Sequence, residues 1–479
     1  METGQIECDP LELANKRPEW SAKAPLTSVQ KYAALGLVLV VAVCFAMAPL
    51  ATGRFLIGAI TLFYLVSIIY RVVLVWASVR PDASFSFSKE EMAAARDWPM
   101  YSILVPMYHE PETLSQMISS LSKLDYPKDK LDIQLLLEAD DDITLKAAKA
   151  IRLPPFMRIT PIPPSFPRTK PKACNIGLHE AKGEFLVIYD AEDRPEPDQL
   201  KKAVLAFAAS PERVACVQSR LNYYNPRHNL LTRHFAADYS SWFDLSLPGL
   251  AYFRTVIPLG GTSNHFRTAI LRDLMGWDAY NVTEDCDLGV RLARAGYETR
   301  MLDTTTWEEA CSSLPYWIRQ RTRWQKGYIQ TFFVHTRDFP GLVRELGLKN
   351  TFHFLFLVGG SVFSTLVNPF FWLMTLAWFI FQPTGIDKLY PGPIFAASAF
   401  CLFAGNFIFF YVSLLGCYRR RYDGILWANL LLPVYWALMS VSGWRAFIQF
   451  FTSPHHWEKT KHGLACPKAR VAVFSQDRR

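Results

Sequence analysis

The sequence predicts an α/β domain inserted between N- and C-terminal transmembrane helices. Of the 479 residues, 51% are hydrophobic, and the longest apolar runs lie towards the two ends of the chain. Between them, short apolar runs alternate with polar, helix-like segments, which is typical of a mostly parallel sheet with helices on both faces. One of these runs, FLVIY at 185–189, is followed at once by Asp190, Glu192 and Asp193. Carboxylates crowded at the end of a buried strand repel one another, so they indicate a site that recruits positive charge.

The N-terminal region is expected to form a membrane hairpin over residues 31–80. Its two apolar runs, 31–51 and 55–78, are each long enough to span a bilayer, and only residues 52–54 separate them. The first run follows a mixed-charge segment, 1–30, and shows no small-residue cleavage pattern, so a removable signal peptide is not expected. Residues 1–30 are then a cytoplasmic segment.

A soluble domain is expected over residues 85–345. Its predicted strands are 101–105, 131–137, 185–189 and 214–219, and its predicted helices are 112–124, 143–151 and 198–209. In open sheets of this kind, ligands bind beyond the carboxyl ends of the strands. The acids at 190–193 lie at such an end, which favours a binding site over a solvated loop.

The region 351–417 is expected to hold an interfacial helix at 351–367 and two spans, at about 369–382 and at 393–417. Three arginines, 419–421, follow the last span and place that end on the cytoplasmic side by the positive-inside rule. These helices and the hairpin give about four spans in all.

The C-terminal region, 425–479, is expected to remain on the cytoplasmic side. Polar residues interrupt its apolar stretch, 425–451, and a basic tail follows, so we expect this stretch to lie along the membrane surface. The nine cysteines are scattered without a CxxC pair, which predicts neither a disulfide framework nor a zinc site.

Polar side chains follow the first two predicted strands: Tyr108, Glu110, Glu138, Asp140 and Asp141. Carboxylates there can accept hydrogen bonds from a nucleobase and a ribose. They can equally be loop acids and helix caps, and the next residue, Asp142, suits an N-cap.

A basic loop, 168–175, comes just before a predicted helix, and it includes Lys172. Positive side chains near a helix N-terminus suit a phosphate. A solvated basic loop is the alternative.

The acids after the third strand form a candidate metal site. Mg²⁺ and Mn²⁺ prefer carboxylate oxygens and often share their coordination shell with substrate phosphates. Asp190, Glu192 and Asp193 beside a basic loop therefore suggest a metal–diphosphate site. The alternative is that Glu192 and Asp193 are exposed and that Asp190 alone caps a structural turn.

A fourth group combines the segment Thr283, Glu284 and Asp285 with Gln320, Arg323 and Trp324 further along. A carboxylate in the first segment can act as general base towards a sugar hydroxyl, although Thr283 followed by acids also reads as a capped helix start. The second set shares one helical face, where Arg323 can grip a diphosphate and Trp324 can support a sugar ring. Anchoring of a membrane-surface helix would explain the same residues.

With these motifs in this order, the sequence resembles the membrane-integrated family-2 glycosyltransferases, which include cellulose, hyaluronan and chitin synthases. The matching motifs run from residue 106 to 327. The resemblance implies a GT-A nucleotide-sugar-binding domain on the cytoplasmic face, with Asp285 as the catalytic base. It further implies that Gln320, Arg323 and Trp324 hold the diphosphate and the acceptor, and that Tyr108, Glu110 and the acids at 138–141 hold uridine.

The sequence departs from the family pattern at two motifs. The metal motif reads Asp190-Ala191-Glu192 instead of D-x-D, so Glu192 and Asp193 compete for the second ligand position, and Glu192 is favoured by alignment. Glu138 replaces the first of two usual aspartates, which shifts the uridine contacts by a residue or two.

Two further segments match the family more loosely. The segment 260–267, with Gly261 and Thr262, occupies the position of the acceptor site, where Glu284 would also lie. A segment at 457–463 resembles the C-terminal loop that covers the nucleotide, although a plain basic tail is the alternative.

The function expected from the resemblance is an inverting, metal-dependent transfer of a hexose from a UDP-sugar to a growing polysaccharide, as in exopolysaccharide synthesis. Transfer of one sugar to a lipid carrier, and a non-catalytic membrane receptor or scaffold, are the alternatives. The expected partners are a UDP-sugar, Mg²⁺ or Mn²⁺, a glycan or lipid-linked acceptor, membrane lipid and an envelope export partner, with no nucleic acid. The expected location is a bacterial inner membrane, crossed several times.

Overall fold

The structure is a computed structural model that describes residues 9–382 and 385–458. Its soluble part is built on an eight-stranded sheet of order β3-β2-β1-β4-β7-β6-β8-β5. The strands are β1 Tyr101–Met107, β2 Leu131–Glu138, β3 Met157–Ile162, β4 Phe185–Ile188, β5 Arg194–Pro195, β6 Val214–Tyr223, β7 Asn264–Arg267 and β8 Glu298–Glu308. The predicted α/β class is thereby confirmed.

The sheet is mixed, whereas the sequence predicted a mostly parallel one. Strand β7 lies between β4 and β6 and runs antiparallel to both, while β1 pairs with β2 and β4 in parallel. Antiparallel pairing brings the start of β7 to the end of β4, where the Ser263 amide donates to the Ile188 carbonyl at 2.9 Å. The segment predicted as an acceptor loop is therefore partly a strand, and its first residues lie beside Asp190.

Helices cover both faces of the sheet. In the soluble part they are Lys89–Ala94, Leu114–Ser122, Asp142–Ala150, Lys170–Glu180, Gln199–Ala208, Leu230–Ser241, Leu247–Tyr252, Thr268–Asp273, Glu284–Arg294 and Leu314–His335. Alternate strand residues enter opposite cores: Leu104 and Leu186 face one, and Ile103 and Val187 the other. Burial on both faces explains why the predicted strands read as continuous apolar runs.

Five helical segments in the described part of the chain are long and apolar enough to cross a membrane: Ser28–Met47, Pro49–Ser78, Phe339–Phe381, Gly392–Arg419 and Asp423–Thr452. The first two meet at Ala48 and Pro49, so residues 52–54 lie inside the second helix and are not the hairpin turn. Proline is favoured at a first helical position because its missing N–H has no partner there.

The third apolar segment also differs from the prediction. Helix Gly360–Phe381 continues through Pro369, whereas Gly347, with φ 71°, interrupts the preceding helix, Phe339–Phe354. The helix is therefore interrupted at Gly347, about twenty residues before the predicted boundary at 367–369. Glycine is the residue type that tolerates a positive φ.

Both ends of the last apolar segment contact the soluble domain. Before it, Arg420 donates to both carboxylate oxygens of Asp244, at 2.7 and 2.8 Å. After it, Lys326 donates to the Ser453 carbonyl at 3.1 Å, and Gln330 donates to the Pro454 carbonyl, also at 3.1 Å. The N-terminal segment lies against this domain as well, since Ser21 donates to Asp278 at 2.8 Å.

Candidate functional site

A cavity of about 1180 Å³ joins the carboxyl ends of the strands to the long apolar helices. Most of the predicted site residues line it: Tyr108, Glu110, Glu138, Asp190, Glu192, Gly261, Thr262, Glu284, Asp285, Gln320, Arg323 and Trp324. Asp140, Asp141, Lys172 and Asp193 do not line it. The chain segments that carry the lining residues are far apart in sequence, so the fold brings them together.

Lys170 is the positive side chain that lies among the acids after β4. Its Nζ forms an ion pair with Asp190 and donates to the Gly261 carbonyl at 2.7 Å. Burial alone would lower the pKa of Lys170, but the charges of Asp190 and Glu284 raise it above its ordinary value. Lys170 is the first residue of helix Lys170–Glu180, which directs it to this point from the basic loop.

Asp193 is a structural residue of the turn. One of its oxygens accepts hydrogen bonds from the Asp190 amide at 2.8 Å and from the Thr262 hydroxyl. Burial, followed by the charges of Asp190 and Glu192, raises the pKa of Asp193. Glu192 instead lines the cavity, so of the two candidates it is the one with access to a ligand.

Two acids at the start of helix Glu284–Arg294 face the cavity. Asp285 accepts a hydrogen bond from the Cys286 amide on Oδ1 at 2.7 Å, while its Oδ2 bonds to no described residue. A Cβ at Gly261 would lie 3.3 Å from that oxygen, so the glycine keeps the approach to Asp285 open. Burial, and then the charge of Asp285, raises the pKa of Glu284 to about 7, and burial raises the pKa of Asp285.

Thr283 does not cap this helix, contrary to the alternative considered from sequence. Its hydroxyl makes no hydrogen bond, and a Cβ at Gly327 would lie 2.1 Å from it. The absence of a side chain at Gly327 therefore lets helix Leu314–His335 approach the acids.

Asp287, one turn further into the helix, has a structural environment. It is fully buried, accepts from Arg291 at 2.8 Å and pairs with His335 at 2.9 Å. Burial opposes its ionisation, but Arg291 and His335 together lower the pKa of Asp287. The acidic segment therefore divides into cavity acids and a buried ion-pair acid.

Helix Leu314–His335 presents Gln320, Arg323 and Trp324 to the cavity, in agreement with their predicted common face. Arg323 donates to the Val282 carbonyl at 3.2 Å, and its guanidinium lies 4.4 Å from the Trp457 ring. Trp457 thus covers Arg323, while residues 459–463 of the predicted covering loop lie outside the described residues.

The residues expected to hold uridine fall into two groups. Tyr108, Glu110 and Glu138 line the cavity. Asp140 forms an ion pair with Arg168 at 2.6 Å, and Asp141 is the buried N-cap of helix Asp142–Ala150. The cap is therefore Asp141 and not Asp142.

Lys172 also differs from the expectation. It is fully buried and pairs with Glu138 at 3.1 Å, so its charge is directed to the β2 end and away from the cavity surface.

Two acids at the strand ends line the cavity although the sequence did not single them out. Glu308 is the last residue of β8 and Glu309 follows it, and both line the cavity with the acids after β4. Burial and the charges of Asp193, Asp190 and Glu192 raise the pKa of Glu308. A sequence pattern could have identified these two acids, because they come directly after an alternating, strand-like run at 298–307.

The donor atoms suit a metal that shares its ligands with a substrate. No group of three or more His, Cys, Asp or Glu side chains is arranged to hold a metal within the ranges 9–382 and 385–458. Asp190 and Glu192 nevertheless provide two carboxylates on the cavity surface. A hard cation bound by one or two carboxylates takes its remaining ligands from phosphate and water.

The soluble domain also matches known proteins. A family model described as "Glycosyltransferase like family 2" matches residues 99–327. The probable glycosyltransferase YdaM of Bacillus subtilis (strain 168) is 26% identical over 264 residues, which are 54% of this chain and 63% of YdaM. The match thus spans less than two thirds of that relative.

Two solved structures match the chain at low sequence identity. The mannosyltransferase PcManGT from Pyrobaculum calidifontis, in complex with GDP-Man and Mn²⁺, has a TM-score of 0.47 and 18% identity, and the match covers 82% of this chain and 99% of that one. Residues 1–349 of S. aureus TarS have a TM-score of 0.35 and 14% identity, covering 76% and 97%. The family model thus identifies residues 99–327 as a glycosyltransferase family 2 domain, and the strands of the mixed sheet lie within these residues.

Proposed function

We propose that this protein is an inverting, metal-dependent membrane glycosyltransferase that transfers a hexose from a UDP-sugar to a growing polysaccharide. The observation that carries the proposal is the cavity, which joins Asp190, Glu192 and Asp285 to the interior of the membrane helices. The same cavity therefore contains the site for sugar transfer and a path along which the glycan product can leave.

The donor is held at the strand ends. Tyr108, Glu110 and Glu138 bind the nucleoside at the end of the cavity that β1 and β2 form. Mg²⁺ or Mn²⁺ held by Asp190 and Glu192 would neutralise charge on the diphosphate leaving group.

Two side chains of the protein add positive charge to the leaving group. Arg323 is buried beside Glu284 and Asp285, and its guanidinium matches a diphosphate in geometry. Lys170 is held at Asp190 by its ion pair, where it can pass to a phosphate oxygen. Charge arranged in advance at a leaving group can lower a barrier by several kcal/mol.

Asp285 is the catalytic base of the proposal. Its Oδ2 faces the cavity without a hydrogen bond to a described residue, so it can take the proton of an acceptor hydroxyl. The hydroxyl attacks the anomeric carbon opposite the diphosphate, which inverts the configuration and gives a β-linkage. Trp324 supports the acceptor ring, beside Gly261, Thr262 and Glu284.

The depth of the cavity favours a polysaccharide over a single sugar on a lipid carrier. Beyond Trp324 the lining includes polar residues of the membrane helices: Thr61, Ser364, Thr365, Asn368, Ser398 and Asn406. Such groups can exchange hydrogen bonds with sugar hydroxyls, whereas a lipid chain gains nothing from them. Asp387 and Tyr390, from the loop at the far end of these helices, also line it.

We assign the protein to a bacterial inner membrane, with its soluble domain on the cytoplasmic side. The soluble domain, the N-terminal segment and both ends of Asp423–Thr452 lie on one side, which we assign to the cytoplasm. Because its two ends contact the same domain, Asp423–Thr452 lies along the membrane surface, and the chain crosses the membrane about four times.

The test is UDP release by purified full-length protein across a panel of UDP-sugars with Mg²⁺ or Mn²⁺. One radiolabelled donor should give UDP and a product of high molecular mass on a gel. If the labelled product is instead a lipid that carries one sugar, the acceptor is a lipid carrier and not a polysaccharide. No UDP release with any donor would support a non-catalytic role.

A further inference from the structure

Arg71 is a charged residue inside the apolar helix Pro49–Ser78, and it lines the cavity. It lies seven residues before the helix end, or about 10 Å along the axis. Its guanidinium stacks on the Phe409 ring at 4.2 Å but makes no hydrogen bond or ion pair with a described residue. A charge within an apolar membrane helix is costly, so a cation without a partner there indicates a ligand.

The acid whose charge reaches Arg71 already has partners. Asp238 contributes to the electrostatic environment of Arg71, but its Oδ2 accepts from Arg321 at 2.7 Å and from the Tyr435 hydroxyl at 3.4 Å. Asp238 is therefore paired with Arg321, and its charge acts on Arg71 without direct contact. This part of the cavity carries a net positive charge, in contrast to the acidic strand ends.

The position of Arg71 in the cavity indicates which ligand would contact it. Arg321 lies 4.7 Å from the Trp324 ring, the surface proposed to support the acceptor sugar. Asp238 bonds to Arg321 and its charge also acts on Arg71, so Arg71 and the Trp324 surface belong to neighbouring parts of one cavity.

We propose that Arg71 binds a carboxylate of the acceptor glycan, and therefore that the glycan contains acidic sugars. This inference rests on the proposed function and names the class of its acceptor. A guanidinium pairs with a carboxylate through two parallel hydrogen bonds, and the low dielectric around membrane helices strengthens the pair. The polar lining continues beyond Arg71 to Asn368 and Ser398, which favours a glycan over a lipid phosphate as the source of the anion.

The test is binding of defined probes to full-length protein in lipid nanodiscs, followed by tryptophan fluorescence, since Trp324, Trp372 and Trp436 line the cavity. The probes are trigalacturonate, neutral maltotriose and dodecyl phosphate. Arg71→Gln removes the charge, and Arg71→Lys keeps it without the two-pronged geometry. Arg54→Gln is the matched control, because Arg54 lies in the same helix and donates instead to the Lys388 carbonyl at 2.7 Å.

The expected result is that trigalacturonate binds at least about tenfold more weakly to Arg71→Gln, less weakly to Arg71→Lys, and unchanged to Arg54→Gln. UDP binding by all three variants should equal that of the unmodified protein, which shows that they are folded. Equal trigalacturonate binding with and without Arg71, or dependence on Arg71 for dodecyl phosphate alone, would overturn the proposal. Because binding needs no turnover, a failure of UDP release tests the proposed function separately.

Discussion

Lys170 pairs with Asp190 at the end of β4, and the same Nζ donates to the Gly261 carbonyl at 2.7 Å. This one side chain links the start of helix Lys170–Glu180, the acids after β4 and the segment before β7. It supplies part of the positive charge that the crowded carboxylates require, and a metal cation would add to it. The arrangement makes the roles of the neighbouring charges testable one at a time.

Lys170→Met should reduce UDP release about a hundredfold, because it removes a positive group beside the leaving diphosphate. The melting temperature in detergent should fall less than that of the control variant, because the ion-pair partner Asp190 keeps its contact with solvent. Lys172→Met is the matched control. Its lysine is fully buried against Glu138, so its loss should mainly lower stability, by about 3 kcal/mol. If Lys172→Met instead abolished UDP release and Lys170→Met mainly lowered stability, Lys172 would be the lysine that contacts the diphosphate.

Asp285→Asn should lower UDP release with acceptor by about 10²–10⁴-fold while leaving UDP binding intact, because the amide cannot take a proton. Asp287→Asn should instead lower the melting temperature, since Asp287 is buried against Arg291 and His335. Titration calorimetry with UDP and thermal unfolding separate the two effects. Turnover by Asp285→Asn at the normal rate would exclude Asp285 as the base.

UDP release should rise with pH through about 7, which is the raised pKa of Glu284, the neighbour of the proposed base Asp285. Burial raises the pKa of both acids, so their negative charges, including that of Asp285, are lost as the pH falls. Glu284→Gln removes one of the two neighbouring charges. The ascending limb should then move to lower pH, and an unchanged limb would show that the pair does not control the rate.

Glu192→Gln should weaken the Mn²⁺ dependence of UDP binding, because Glu192 is on the cavity surface. Asp193→Asn should keep it within a few-fold, since the amide oxygen can still accept from the Asp190 amide and the Thr262 hydroxyl. The comparison is UDP affinity at increasing Mn²⁺ for each variant. If only Asp193→Asn loses the Mn²⁺ effect, Asp193 and not Glu192 is the second metal ligand.

Asp423→Cys and His456→Cys flank the last apolar helix at exposed positions. If that helix lies on the surface, a membrane-impermeant maleimide should label both from the cytoplasmic side. Lys388→Cys, in the loop between Phe339–Phe381 and Gly392–Arg419, should be labelled from the other side. Labelling of Asp423→Cys and His456→Cys from opposite sides would mean that the helix crosses.

The site could be predicted in part because acids at strand ends and charged residues at helical spacing are local patterns. Asp190, Glu192, Asp285 and Arg323 were found in this way and line the cavity. The direction of each side chain in a turn was not predictable. Asp193 turns inward because it accepts from its own turn and from Thr262, which is 69 residues away.

The sequence by itself determined the soluble α/β domain, its position between apolar helices and the identity of most charged groups at the site. These follow from hydrophobic periodicity and from residue type, which act over a few neighbouring residues. Only the tertiary structure decided that Lys170 rather than Lys172 reaches Asp190, that β7 runs antiparallel beside β4, and that Arg71 enters the cavity. Such outcomes depend on long-range packing, in which segments far apart in the chain compete for the same space.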